Sequence, residues 1–303
     1  MIGVGKRARV LAATTLALCL TASIQPALSR GELTGQTTAL PSVLHLVDTS
    51  RTIRLPDGRR VPRPVTTYLS YPPAADRNGP LPLVVFGHGF ASTPFRYRRM
   101  LRAWAAAGYL VAAPLFPLGN AHAPGGPDEN DIVNQPRDMS FVITRLLEAS
   151  ASPTNPLHGM VDAARIAVAG QSDGAETAFA TAYERPWHDR RVRAAVILSG
   201  AILGEHVGLV SRRTPLLAVQ GTADRINPPM YTFDLFHSAR RPKFLMLLHR
   251  AGHLGPYTVP GPRLAAVERV SIAFLDHYLG TGSLGSIARA AAPFRSDTLT
   301  SEP

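Results

Sequence analysis

The chain has 303 residues, 45% of them hydrophobic, with 32 Lys and Arg against 21 Asp and Glu and a formal net charge of +11. That apolar content is ample for a buried core and excludes a disordered polymer, and the length admits one large or two small domains. The basic residues are scattered in short clusters such as Arg59-Arg60, Arg98-Arg99, Arg190-Arg191 and Arg212-Arg213, without a stripe or a nucleic-acid motif. A solvated basic surface drawn to anionic lipid, cell wall or polyanions is therefore expected, and a nucleic-acid partner is not.

Residues 1–29 read as a cleaved export signal. Lys6, Arg7 and Arg9 form the basic start, residues 10–20 the apolar stretch, and Ala27-Leu28-Ser29 a small-x-small cleavage site. The stretch is short for a membrane span. Cys19, the only cysteine, lies inside this segment, and Leu18 before it departs from a lipoprotein signal. The mature chain is thus expected to be secreted, without a thiol or a disulfide, and cysteine metal sites are excluded.

After the signal, segments 45–55 and 65–71 flank the turn Pro56-Asp57-Gly58 and read as an antiparallel pair. Short, wholly apolar runs follow at 83–86, 109–113, 166–169, 194–198, 216–219 and 244–248. Strands apolar on both faces belong to a parallel sheet covered on both sides. Thr93-Pro94 opens a helix with Tyr97, Met100, Leu101, Trp104 and Ala105 at core spacing, closed by Gly108. Pro262 opens another, with Leu264, Val267, Phe274, Leu275 and Tyr278 facing inward before Gly280. The alternation predicts one α/β domain over 30–280, with a mostly parallel central sheet and helices on both faces, and a loose, flexible tail over 281–303.

One run carries chemistry. Gly170-Gln171-Ser172-Asp173-Gly174 lies between the apolar strand 166–169 and a helix-like stretch, the setting in which a serine is forced onto a tight, strained corner with its Oγ exposed. Such a nucleophile needs a base and a carboxylate converging from other loops, which in an open parallel sheet lie at the carboxyl ends of the strands. Asp224 follows the strand 216–219 in Gly221-Thr222-Ala223-Asp224, and His253 follows the strand 244–248 in Ala251-Gly252-His253. The order Ser172, Asp224, His253 is that of an α/β-hydrolase. Oxyanion donors are expected at the N–H of Asp173 and, from the loop Gly87-His88-Gly89-Phe90, at the N–H of Phe90.

With these motifs in place, residues 65–279 resemble an α/β-hydrolase of the serine esterase type. The chain is similar to the branch holding dienelactone hydrolases, cutinase-like polyester hydrolases, chlorophyllases and plasma-type platelet-activating-factor acetylhydrolases. The resemblance implies the α/β-hydrolase fold and hydrolysis of a small-molecule or lipid ester without a cofactor. Two departures stand out: Asp173 and Ala175 replace the methionine and third glycine usual in cutinase-like relatives, and Ser172 replaces the cysteine of dienelactone hydrolases proper. Asp173 reads as a first-turn acid favoured by the helix dipole.

Two alternatives remain for the function: an acyltransferase or peptidase with the same triad, and an inactive relative serving as a surface-binding protein. His249 and His253 lie across a strand end, which speaks against a zinc pair, and residues 120–135 form a long, acidic, flexible loop without calcium-loop spacing, with two readings open, a lining for the mouth of the site or a solvated loop. The segment 201–214, between the sixth and seventh strands, is too short for a cap domain, so an open site is expected.

Overall fold

The computed structural model describes residues 40–201, 208–210, 214–294 and 297–303. The segment read as a signal lies outside them, as does most of the segment where a cap would sit. Among the described residues no helix is long and apolar enough to cross a membrane.

Nine strands form one sheet: β1 (Leu40–Arg54), β2 (Arg60–Tyr71), β3 (Leu81–Gly87), β4 (Leu110–Pro114), β5 (Val161–Ser172), β6 (Val192–Gly200), β7 (Leu216–Gly221), β8 (Lys243–Leu248) and β9 (Thr298–Glu302). Their spatial order is β1-β2-β4-β3-β5-β6-β7-β8-β9. The six strands from β4 to β8 in that order run parallel, and β1, β2 and β9 are antiparallel to their neighbours. This is the mostly parallel architecture with covered faces that the apolar runs predict. β1 and β2 are longer than expected, and the turn between them uses Gly58 at φ 86°.

Helices α1 (Arg98–Ala106), α2 (Gln135–Ala151), α3 (Asp173–Tyr183), α4 (Pro229–Ser238), α5 (Gly255–Thr258), α6 (Pro262–Leu279) and α7 (Leu284–Ala291) fill the connections. Alternation along each strand divides the core between the two faces. Val84, Phe86, Ala167 and Ala169 point to the side covered by α1, α5, α6 and α7, whereas Leu83, Val85, Ile166 and Val168 point to the side covered by α2, α3 and α4. Trp104 of α1 is wholly buried, and its indole N–H donates to Ser271 Oγ of α6 at 2.9 Å. The two stripes picked out at helical spacing are therefore core, as their apolarity requires.

Two expectations are corrected. The segment 281–303 is not a loose tail in its described residues. α7 buries Ile287 and Ala290 against the core, and β9 pairs with the edge strand β8 from Lys243↔Glu302 to Leu247↔Thr298. A free edge is a row of unpaired N–H and C=O groups, and β9 covers it. Nor is 120–135 solvated throughout: residues 124–130 are exposed, but the segment is anchored on both sides of them. Asn120 is buried and its amide donates to the carbonyls of Phe116 (2.7 Å) and Pro117 (3.1 Å). A 3-10 segment at Glu129–Asn134 buries Asp131, which pairs with Arg63 of β2. The acids that made this stretch look like a surface loop include one that anchors it.

Candidate active site

Ser172 stands at the junction of β5 and α3 with φ 59° and ψ −125°. A side chain at positive φ is strained, and the strain persists only where surrounding structure dictates it. Here the surroundings are glycines. A Cβ on Gly170 would run into the Gly174 carbonyl, and one on Gly174 into the Gly87 carbonyl. With neither present, strand, corner and helix pack against the end of β3. The same approach brings the loop after β3 onto the nucleophile, since a Cβ on Gly89 would sit 3.0 Å from Ser172 Cβ.

That loop is held from beneath by His88, which is 1% exposed. Its Nε2 accepts from the Phe116 N–H at 3.1 Å, and Nδ1 faces the Gly89 carbonyl at 2.8 Å. The geometry assigns the proton to Nδ1. Burial pushes its pKa down to about 4, against the hydrogen bond to Gly89, so His88 is a neutral brace at working pH. The N–H groups on either side of Phe90 are both engaged, Gly89 with the Tyr97 hydroxyl at 3.4 Å and Ala91 with the Gly119 carbonyl at 2.9 Å.

Asp224 and His253 come together from the turns after β7 and β8. His253 Nδ1 lies 2.8 Å from Asp224 Oδ2, and the carboxylate can only accept, so Nδ1 carries the proton and Nε2 the free lone pair. Asp224 Oδ1 accepts the N–H groups of Ile226 (3.0 Å) and Asn227 (2.9 Å), and the Gln220 amide adds a 3.4 Å contact to Oδ2. Burial works to raise the Asp224 pKa, but the hydrogen bonds from His253 and Asn227 prevail and hold it below the usual carboxylate range. It is an anion fixed against one imidazole nitrogen. Asp234, on α4, is exposed and takes no part.

The nucleophile has other neighbours. Ser172 Oγ receives the Asn227 amide at 3.4 Å and faces Asp173 Oδ1 at 3.5 Å, while His253 Nε2 faces the Gln171 amide nitrogen at 3.2 Å. Among the described residues no hydrogen bond joins Ser172 Oγ to His253. Asp173 is 4% exposed, its Oδ2 is buried without a partner, and desolvation, followed by the charge of Glu129, pushes its pKa up to about 6. Sequence reasoning placed Asp173 as a first-turn acid, and it does open α3; its loss of solvent was not legible. Gln171, Tyr97, Asn227 and His88 were missed as site residues. The only signal lay in position: Gln171 fills the variable place before the serine, and Asn227 comes three residues after the acid. Among the described residues no group of three His, Cys, Asp or Glu is arranged to hold a metal ion.

The family model for Chlorophyllase matches residues 48–198, about half of the chain. A solved ferulic acid esterase from Streptomyces cinnamoneus superposes with a TM-score of 0.67 at 20% identity, covering 88% of this chain and 97% of that one. No curated protein matches the sequence significantly. The chain is an α/β-hydrolase, similar over residues 48–198 to the chlorophyllase family. The matched span carries the loop 87–90 and the corner at Ser172 but ends before Asp224 and His253. For this α/β-hydrolase the acid and base thus rest on their own geometry, and the esterase neighbour, at its low identity, speaks for the fold alone.

Proposed function

We propose that the chain is a serine esterase cleaving carboxylic esters, in which Ser172 is the nucleophile, His253 the base and Asp224 the residue that orients the base. The observation that carries this reading is the pairing of a buried Asp224 carboxylate with His253 Nδ1, beside a serine held at positive φ on a strand-to-helix corner. Ser172 Oγ attacks the acyl carbon and its proton passes to His253 Nε2, the imidazolium being stabilised by Asp224. The negative charge that develops on the carbonyl oxygen is received by the N–H groups of Phe90 and Asp173, each worth roughly 3 kcal/mol in such a site. The tetrahedral adduct collapses, the alcohol leaves with the proton from Nε2, and an acyl-enzyme remains. Water repeats the cycle and releases the acid.

The same reading extends to the setting of the enzyme. Residues 1–29 direct export, the mature chain acts on a small-molecule or lipid ester, and its basic surface associates with anionic surfaces by long-range attraction that salt screens. A fluorophosphonate probe tests the chemistry. One label is expected on the mature protein, with labelling and turnover of p-nitrophenyl butyrate both lost in Ser172→Ala while its circular dichroism is unchanged. Labelling that survives the substitution would place the nucleophile elsewhere.

A further inference from the structure

Gln171 occupies the variable position before the nucleophile, and nothing in the reaction requires it, yet it is 1% exposed and every polar atom of its side chain is engaged. Its Oε1 accepts from the Tyr97 hydroxyl at 2.6 Å. Its Nε2 lies 3.2 Å from the His253 carbonyl oxygen and 3.2 Å from His253 Nε2. The orientation of the amide is settled by these partners, because a backbone carbonyl can only accept and therefore faces the NH2 end. Tyr97 in turn receives the Gly89 N–H, so one chain of contacts runs from the loop beside the oxyanion site through Tyr97 and Gln171 to the base.

We propose that Gln171 is a positioning residue for His253, holding the imidazole through its Nε2 lone pair and backbone carbonyl until substrate draws Nε2 to the Ser172 hydroxyl. The inference rests on the reading of His253 as the base. Two consequences follow from donor chemistry. An amide N–H pairs with the neutral imidazole and repels the imidazolium, which carries a proton on Nε2. Gln171 therefore favours the form of His253 able to take a proton. Once Nε2 has taken it, the same N–H group turns the new donor away from Gln171 and toward the leaving oxygen. Other charges bear on the ring. Asp224 faces Nδ1, and Asp173 interacts with the ring through space.

The test reads the ring itself. Imidazole nitrogen resonances of His253, assigned by their loss in His253→Asn, are titrated by NMR in the wild-type protein, in Gln171→Met, which keeps the volume and removes the donor, and in Tyr97→Phe, which removes only the hydroxyl that aims the amide. Without the donor the protonated form should persist to higher pH, the midpoint rising by about half a pH unit in Gln171→Met and by less in Tyr97→Phe. The acid limb of kcat/KM should move in the same direction. A midpoint unchanged or lowered in both variants overturns the proposal, even if activity falls, because a purely structural Gln171 would leave the titration alone. If Gln171→Met does not fold, the Tyr97→Phe midpoint decides. Failure of the esterase reading would show separately, as absent fluorophosphonate labelling with the titration still measurable.

Discussion

Among the buried acids of this molecule, those beside α2 and the one next to Ser172 are treated in opposite ways. Near the start of α2, Asp131 and Asp138 lie on either side of Arg63, which is 2% exposed and reaches Asp131 with Nη1 and Nη2 (2.9 and 2.6 Å) and Asp138 with Nε and Nη2 (2.8 and 2.6 Å). Arg51 adds a second cation against Asp138 at 2.7 Å, and itself pairs with Asp48. Burial works to strip the Arg63 proton, but the two carboxylates outweigh it and raise its pKa. At Ser172 the adjacent carboxylate of Asp173 forms no ion pair with Lys or Arg among the described residues, and one of its oxygens has no hydrogen-bond partner there. Burial of charge is tolerable when every charge is paired, as around Arg63, which ties β1 and β2 to α2. It is costly when a charge is left alone, and beside its nucleophile this chain accepts that cost.

The largest effect expected from these acids is chemical. Asp224, the one active-site carboxylate that is well partnered, holds His253 in a single tautomer. Asp224→Asn should lower kcat by roughly 10⁴-fold through the wrong tautomer. Steady-state rates on p-nitrophenyl butyrate measure this, and a loss of less than tenfold would remove Asp224 from the mechanism. The next effect is on stability. Arg63→Met leaves Asp131 and Asp138 in the interior facing one another, and should cost about 3–5 kcal/mol in urea unfolding. Replacing Arg63, Asp131 and Asp138 together by apolar residues of similar size should restore much of that loss, since a buried pair gains little over good apolar packing.

Asp173 should behave in the reverse sense. Its pKa is about 6 in the folded chain against 3.8 for the unperturbed group, so between these values the folded state holds a proton that the unfolded chain has released. Stability therefore falls as pH rises through this window. Asp173→Asn abolishes the titration and should be more stable than the wild type above pH 6, by at most roughly 3 kcal/mol, with the difference vanishing below about pH 4. Urea midpoints from pH 4 to 8 measure it. A variant less stable at pH 8 would mean that the carboxylate has a partner in solution.

What the sequence makes legible divides along similar lines. The parallel sheet, the corner at Ser172 and the turns bearing Asp224 and His253 announce themselves because each depends on local pattern: apolar runs with glycine, serine or aspartate at fixed offsets. Gln171, Tyr97 and Asn227 announce nothing. Tyr97 looks like one more core aromatic, and its ring is buried as such, but its hydroxyl meets Gln171 across 74 residues of chain. Arg63 sits in a strand where an exposed basic residue is ordinary, and only the docking of 129–134 and α2 encloses it. The tail from 281 reads as loose because its Gly and Ser residues and its few large apolar side chains give little local pattern; what orders it is tertiary, the burial of Ile287 and Ala290 and the vacant edge of β8.

The smallest expected effect completes the contrast by keeping the ion pair and removing the burial. Arg145 and Glu148 form an i,i+3 pair on the outer face of α2, with side chains 50% and 54% exposed. In water their attraction is screened, and holding two long side chains in one geometry opposes it with rotamer entropy. Arg145→Ala should therefore change the unfolding free energy by no more than about 0.5 kcal/mol, a difference that shrinks further in 0.5 M salt. Alanine is itself a good helix former, so lost propensity does not mask the result. A loss comparable with that of Arg63→Met, whose partner Asp138 lies on the same helix, would mean that burial is not what decides the worth of these pairs. The contrast between the paired and unpaired acids would then have to rest on geometry alone.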